Sequence, residues 1–164
     1  MCGGKIVNVI LNSNVALSGS TNNNATYAID FGTILKPNKP YKMHWTYVGQ
    51  ANTITVASRL ALVQINFTME QYRPNSVGIG ASTTMTIGCL RTMYVNGTVN
   101  YLFADDNNNP PVYLPNRPIG QFTVQIVTNQ AGAPLWTDNA ATPVENNDYI
   151  LTLSFQEMDS SEDI

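Results

Sequence analysis

Few side chains in this sequence could perform catalysis or bind a metal ion. His44 is the single histidine, which excludes a site built on several imidazole ligands, and Cys2 and Cys89 lack zinc-site spacing. A hydrolytic triad would require His44 beside an activated nucleophile, and no Gly-x-Ser-x-Gly elbow is present. The sequence therefore predicts a non-enzymatic protein without a metal or cofactor, in which His44 faces solvent or an interface.

Oxygen ligands suited to calcium are concentrated in one segment. Asp105, Asn107 and Asn109 have the 1-3-5 spacing that begins an EF-hand loop. The sixth position of that loop is Pro110 instead of glycine, and the twelfth is Asn116 instead of glutamate. This departure favours a solvated turn over a calcium site.

The charge content limits the kinds of partner that the protein can bind. Charged residues make up 12% of the chain, the formal net charge is −3, and the 8 lysines and arginines are scattered singly. Direct nucleic-acid binding needs a basic face that neutralises several phosphates, so it is not expected. The chain has instead 20 asparagines and 17 threonines. Such a neutral polar surface can pack against other proteins without desolvating many ions, a step that is costly.

Hydropathy patterning predicts an all-β protein. Apolar residues alternate with other residues along most of the chain, which places one set of side chains on one face of a sheet. Asn96-Gly97 predicts a type I′ hairpin, and residues 68–76 have room for one helical turn before Pro74. The predicted strands cover residues 5–11, 26–31, 41–48, 53–57, 60–69, 84–95, 98–103, 119–128 and 149–155.

This many strands in one domain predicts a two-sheet antiparallel sandwich of about eight strands. The long gaps between some strands favour a single jelly roll over an immunoglobulin fold. We expect residues 1–157 to form the jelly-roll domain and the acidic residues 158–164 to form a disordered tail.

Cysteine usage and hydropathy bear on the compartment. Cys2 and Cys89 are expected to be free thiols, with Cys89 buried in an apolar strand, as suits a reducing compartment. The sequence has neither the pattern of a signal peptide nor an apolar run long enough for a transmembrane helix.

Three residues are the predicted anchors of a partner interface. Tyr113 and Trp136 are aromatic residues in the loop-like segments 104–118 and 129–147, and Arg117 lies in the first of these segments. The other aromatic residues lie mostly at strand positions, where core packing explains them. A sugar-binding platform is the alternative use of these aromatic side chains.

The last third of the chain resembles a known family. Its strand pattern runs through Pro110–Leu114, Ile119–Ile126 and Gly132–Trp136 and ends with Tyr149–Phe155. This order resembles the closing half of single jelly-roll minor capsid and penton proteins of large icosahedral double-stranded DNA viruses. The strand start at Pro40–Trp45 is also similar to that group.

The resemblance implies a structural viral capsid component, either a penton at the five-fold vertices or a minor capsid protein that holds capsomers together. Its partners would be the major capsid protein and other capsid proteins, or copies of itself in a homopentamer. The implied location is the virion, assembled in the host cytoplasm. The alternative function is a carbohydrate-binding jelly-roll module, lectin-like or from a fibre tip, which would need exposed aromatic residues and a polar cleft.

Overall fold

Nine β-strands make up most of the described chain. The computed structural model describes residues 5–17, 24–51, 61–73, 76–95, 99–104, 109–128 and 148–158. A four-residue helix, α1 (Phe31–Ile34), and a 3-10 turn at Ser13–Val15 accompany the strands. The strands are β1 (Ile6–Asn12), β2 (Asn24–Ala28), β3 (Tyr41–Ala51), β4 (Ala61–Arg73), β5 (Ser76–Val95), β6 (Val99–Ala104), β7 (Val112–Leu114), β8 (Pro118–Thr128) and β9 (Tyr149–Glu157).

The strand order is that of a jelly roll. The first sheet has the order β1-β9-β3-β6, the second has the order β5-β4-β8-β2, and the β5–β6 hairpin joins them. The described neighbours are antiparallel. The short β7 pairs with the start of β3, while β6 pairs with its end, so β6 and β7 share one strand position. The predicted all-β single jelly roll is confirmed.

The core lies between the two sheets and follows the predicted alternation. Met43, Trp45 and Tyr47 of β3 are buried, and the residues between them are exposed. Phe31 lies at the centre of an aromatic cluster, with its ring 5.6 Å from that of Phe155 and 5.8 Å from that of Phe122. Burying aromatic and aliphatic side chains from both sheets supplies most of the stability of such a sandwich.

Phe31 reaches the core from α1 and not from the predicted strand 26–31. That strand ends at Ala28, because Asp30 forms the N-cap of the helix. The Asp30 carboxylate accepts a hydrogen bond from the Gly32 N–H at 3.1 Å. Short polar side chains bond to nearby backbone groups in this way and end a strand.

Two more local predictions are wrong. No helical turn interrupts the described part of residues 68–76, because β4 continues to Arg73 and pairs with the first residues of β5. The segment 104–118 is not one loop, since it contains β7. The predicted strand 53–57 and the Asn96-Gly97 turn lie outside the described residues, although the hairpin itself is present, with Val95 opposite Val99.

Cys89 is exposed, where the sequence predicts a buried thiol. The cause is a β-bulge in β5, where Val63 pairs with Gly88 and Gln64 pairs with Thr86, leaving Ile87 without a partner in β4. The extra residue changes the inward–outward phase of the strand, so Leu90 is buried and Cys89 is not. Cys2 lies outside the described residues.

Three tyrosines meet inside the sandwich. The Tyr27 hydroxyl donates a hydrogen bond to the Tyr149 hydroxyl at 2.9 Å, and the Tyr47 ring stacks on that of Tyr149 at 5.2 Å. The buried Tyr47 hydroxyl has no hydrogen-bond partner in the described part of the chain. Burial raises the pKa of Tyr47 and Tyr149 well above the ordinary value, and it also raises that of Tyr27 against the opposing effect of the Tyr149 bond.

We predict a steep loss of stability in alkaline solution. Above about pH 10 the unfolded chain releases tyrosine protons that the folded chain retains. Stability that is fully present below this pH is therefore lost as the pH rises toward the folded-state pKa values, by about 1.4 kcal/mol per pH unit for each group. Urea unfolding between neutral and alkaline pH measures the slope. Tyr47→Phe should make this pH dependence less steep by the contribution of one tyrosine proton. Tyr113→Phe, which removes an exposed hydroxyl, is the control. An equal slope in the wild type and both variants would contradict the prediction.

Candidate protein interface

The outer surface of the first sheet is the candidate interface. Alternate residues of β1, β9 and β3 face away from the core, and the strand register places them in rows. One row contains Asn8, Ser154 and His44, and the next contains Ile10, Thr152 and Thr46. We call this surface the outer face; it consists of Ile6, Asn8, Ile10, Lys42, His44, Thr46, Val48, Gln50, Tyr113, Ile150, Thr152, Ser154 and Gln156.

Large apolar side chains on the outer face are exposed to solvent. The exposed fraction is 68% for Ile10, 59% for Ile6, 57% for Val48 and 43% for Ile150. Val48 and Ile150 are directly opposite each other in the register of β3 and β9. Exposed apolar side chains that share one sheet face indicate a surface that another molecule covers.

The outer face is almost free of charge. Its single formally charged residue is Lys42, and the exposed His44 lies one row away from it. One carboxylate, Asp148, lies at the border of this face, in the depression that Val48, Gln50 and Ile150 also line. The prediction that His44 faces solvent or an interface is therefore consistent with its position. Covering this surface would require the desolvation of one ammonium group and of neutral polar groups, which costs little compared with a charged surface.

The opposite surface of the sandwich is also uncharged over its central rows, but it is polar. In the second sheet the Gln64 amide donates to the Thr86 hydroxyl at 3.2 Å, and Thr26 contacts Thr123 at 3.4 Å. These side chains bond to one another across the strands, as cross-strand pairs do. Among the side chains that the structure describes, the large apolar ones exposed on a sheet lie on the first sheet, so the described surfaces of the two sheets differ in what they can bind.

Ionic side chains gather at one end of the sandwich. Lys36 forms an ion pair with Glu157 at 2.8 Å, and Lys39 lies 3.8 Å from the same carboxylate. The hydrogen bond from Lys36 lowers the pKa of the Glu157 carboxyl. These pairs are exposed on the lysine side, so screening by water makes them weak contributors to stability.

Arg117 is held inside the protein by four hydrogen bonds. Its Nε and Nη2 atoms donate to the two carboxylate oxygens of Glu70, at 2.6 and 3.0 Å. Its Nη1 atom donates to the carbonyls of Gly32 and Leu35, at 3.3 and 3.0 Å. The Glu70 carboxylate raises the pKa of the guanidinium, which stays charged. Arg117 thus ties β4, α1 and the turn before β8 together.

The three predicted anchor residues do not form one cluster in the described structure. Tyr113 lies on β7 beside Lys42 with 62% of its surface exposed, at the border of the outer face. The Arg117 side chain is only 16% exposed and is engaged within the protein. Trp136, with the whole segment 129–147, lies outside the described residues.

Asn109, one of the candidate calcium ligands that the sequence disfavours, has a structural role. Its side-chain oxygen accepts from the Cys89 N–H at 2.8 Å, and its amide nitrogen donates to the Cys89 carbonyl at 2.9 Å. The side chain thereby continues the hydrogen bonding of β5 beyond the end of β6. Residues 105–108 lie outside the described residues. Among the residues that the structure describes, no cluster of His, Cys, Asp or Glu suited to a metal is found.

The exposed aliphatic residues of the outer face are not among the predicted interface residues. The sequence signal that could have revealed them is an apolar residue at an outward position of an alternating strand, where a polar residue is usual. Ile6, Ile10, Val48 and Ile150 occupy such positions.

In the described residues, no helix is long and apolar enough to cross a membrane.

Comparisons with known proteins give only distant likenesses. No protein-family model and no curated protein matches the sequence. A chain of desmodium yellow mottle tymovirus is 11% identical with a TM-score of 0.25, over 98% of this chain and 92% of that one. Two chains of turnip yellow mosaic virus, one from the empty head, are 12% and 9% identical with TM-scores of 0.25 and 0.26. The match to the first of these two chains covers 96% of this chain and 99% of the viral chain. The match to the empty-head chain covers 98% of this chain and 86% of the viral chain. Similarity at this level carries no argument about partners, so the proposals below rest on the chain's own residues.

Proposed function

We propose that this protein is a structural component of an icosahedral virus capsid that acts through protein–protein contacts in the shell. The observation that carries the proposal is the outer face, where exposed isoleucine, valine and tyrosine side chains share a sheet surface that has one lysine, Lys42, and one carboxylate, Asp148, at its border. A fold alone does not determine a function, and the chemistry of this surface is what indicates assembly.

The energetics of the outer face suit a permanent contact. Each square ångström of apolar surface removed from water contributes about 25 cal/mol, and Ile6, Ile10, Val48 and Ile150 all have much surface left to bury. The polar side chains between them are mainly hydroxyls and amides, which can bond to a neighbouring protein at a smaller cost than charges. Obligate protein–protein interfaces are more hydrophobic than transient ones, and the exposed aliphatic side chains of the outer face fit the obligate kind.

The finer assignment is a penton or a minor capsid protein of a large double-stranded DNA virus. The partners would be the major capsid protein and other capsid proteins, or copies of this chain in a homopentamer. The protein would reside in the virion after assembly in the host cytoplasm. In this assignment Tyr113 contacts a neighbour at the border of the outer face, Arg117 fixes the turn that follows β7, and Trp136 contacts a partner from the segment 129–147. Residues 1–157 would form the domain and residues 158–164 its tail.

A charge placed at the centre of the outer face should prevent incorporation into particles. We expect the double variant Val48→Lys, Ile150→Lys to fold, because both residues are exposed, and to be lost from virus particles at least tenfold. The measurement is the amount of protein that sediments with purified particles. Ala28→Lys with Gln121→Lys is the matched control, because it adds the same charge to two exposed positions that are directly opposite each other on the other sheet.

Three measurements distinguish the candidate functions and assemblies. Loss of the outer-face variant alone supports the capsid role through this surface, and absence of the wild-type protein from particles contradicts the role. Light scattering during size exclusion distinguishes a five-fold ring from a monomeric minor capsid protein. Binding to a glycan array that Tyr113→Ala abolishes would favour the carbohydrate-binding alternative, because Tyr113 is the exposed aromatic residue among the described side chains.

A further inference from the structure

The strand β1 has an unpaired edge. It pairs with β9 along its whole length, and no described strand lies on its other side. Proteins usually protect such an edge with a lysine, a proline or a bulge within the strand. The seven residues of β1 contain none of these devices, and their register with β9 is continuous.

The first five of the seven residues of β1 read the same in both directions. Ile6-Val7-Asn8-Val9-Ile10 is a palindrome centred on Asn8. When two antiparallel strands pair, the chain directions are opposite, so a palindromic strand meets its own sequence in a second copy of itself. The outward side chains Ile6, Asn8 and Ile10 then face outward in both copies, because a register centred on one residue preserves the alternation.

We propose that two copies of this protein pair through β1, antiparallel and about a two-fold axis at Asn8. Ile6 would lie opposite Ile10 of the second copy, and Val7 opposite Val9 of the second copy. The two Asn8 side chains would lie side by side, where their amides can bond to each other. The four-stranded first sheets of both copies would become one continuous sheet, with the unpaired backbone groups of both edges satisfied.

The charge distribution permits this pairing. The strand has no formal charge, and the neighbouring Lys5 would lie opposite Leu11 of the second copy. The Lys5 residues of the two copies would be separated by about 20 Å along the strands. This separation exceeds the screening length of about 8 Å at physiological salt, so the two ammonium groups would hardly repel each other.

The contact is small, which sets its expected strength. Seven residues of extended strand span about 24 Å, and a stable interface usually covers about 800 Å² on each partner. The exposed fractions of Ile6 and Ile10, 59% and 68%, are the main apolar contribution of each copy. We therefore expect a reversible dimer with a Kd of roughly 10–100 μM.

The test uses opposite charges at the two-fold axis, measured by sedimentation equilibrium up to millimolar protein. Asn8→Lys and Asn8→Asp each place two like charges side by side, so each variant alone should dimerise about tenfold more weakly than the wild type. An equal mixture of the two variants should recover dimerisation, because each pair then contains one lysine and one aspartate. The recovery also shows that both variants are folded. Only a contact that brings Asn8 against Asn8 produces this result.

The matched control is Asn24→Lys with Asn24→Asp, since Asn24 is exposed on β2, the edge strand of the other sheet. These variants should dimerise as the wild type does, alone and mixed. A wild-type protein that stays monomeric at all concentrations overturns the proposal, as does a mixture of Asn8 variants without recovery. Equal effects at Asn24 would also overturn it. The result is independent of the capsid role, because no virus particle enters the measurement.

Discussion

Arg117→Met should lower the free energy of unfolding by about 3 kcal/mol, one of the two largest effects that we expect in this protein. The substitution leaves the Glu70 carboxylate, whose side chain is 10% exposed, without its bidentate partner. It also leaves the carbonyls of Gly32 and Leu35 without this donor. Removing one member of a largely buried ion pair costs more than the pair contributes, because the remaining charge is still partly desolvated.

A double-mutant cycle tests the source of this loss. Glu70→Gln alone should also destabilise the protein, and Glu70→Gln combined with Arg117→Met should be more stable than the sum of the single effects predicts, because no uncompensated charge remains. Arg117→Lys should recover only part of the loss, since an ammonium group cannot bond to both carboxylate oxygens and both carbonyls in the guanidinium geometry. Urea unfolding measures all four variants. A loss below about 0.5 kcal/mol for Arg117→Met would show that this clamp contributes no more than an ordinary surface residue.

This prediction affects how the anchor residues are tested. A substitution at Arg117 changes the hold on α1 and on the turn before β8, so a loss of assembly in that variant would not identify a contact with a partner. Tyr113 offers the direct test, because its exposed ring has no described role in the fold. Its role at an interface and that of Trp136 stay predictions.

The strands with regular alternation were predictable from sequence because each buries one face. The predicted runs 119–128 and 149–155 differ from β8 and β9 by two residues or fewer at each end. The hydropathy alternation missed β7 because this strand has only three residues, which lie between prolines and pair with β3. The first part of β5 was also missed, since small residues there, such as Gly78 and Gly80, give no apolar alternation.

The candidate interface was only partly predictable from sequence, because its residues become neighbours through strand register. Low charge indicates a surface suited to protein contacts, but the rows of the outer face depend on the register between β1, β9 and β3. Residues that are distant in sequence, such as Val48 and Ile150, become neighbours only through that register. The role of Arg117 depends in the same way on Glu70, which is 47 residues away.

The bulge in β5 creates the second site where a single substitution should have a large effect. The carbonyl of Ile87, the bulged residue, accepts a hydrogen bond from the Trp45 indole at 3.1 Å, which joins the two sheets across the core. Gly88 lies directly beside this bond. A β-carbon at Gly88 would overlap the Trp45 ring and the side-chain oxygen of Asn109, which is itself bonded to Cys89.

Gly88→Ala should therefore destabilise the protein by about 3 kcal/mol, the usual upper cost of inserting an atom into a packed interior. Both obstacles resist movement, because the Trp45 ring is only 4% exposed and the Asn109 amide makes two backbone hydrogen bonds. Urea unfolding measures the loss, and Thr84→Ala is the control, since it changes an exposed residue of the same strand. Within a Trp45→Phe background, Gly88→Ala should cost less, because the smaller ring leaves room for the methyl group. An equal cost in both backgrounds would mean that Trp45 does not require the glycine, and a cost as small as that of the control would mean that neither neighbour does.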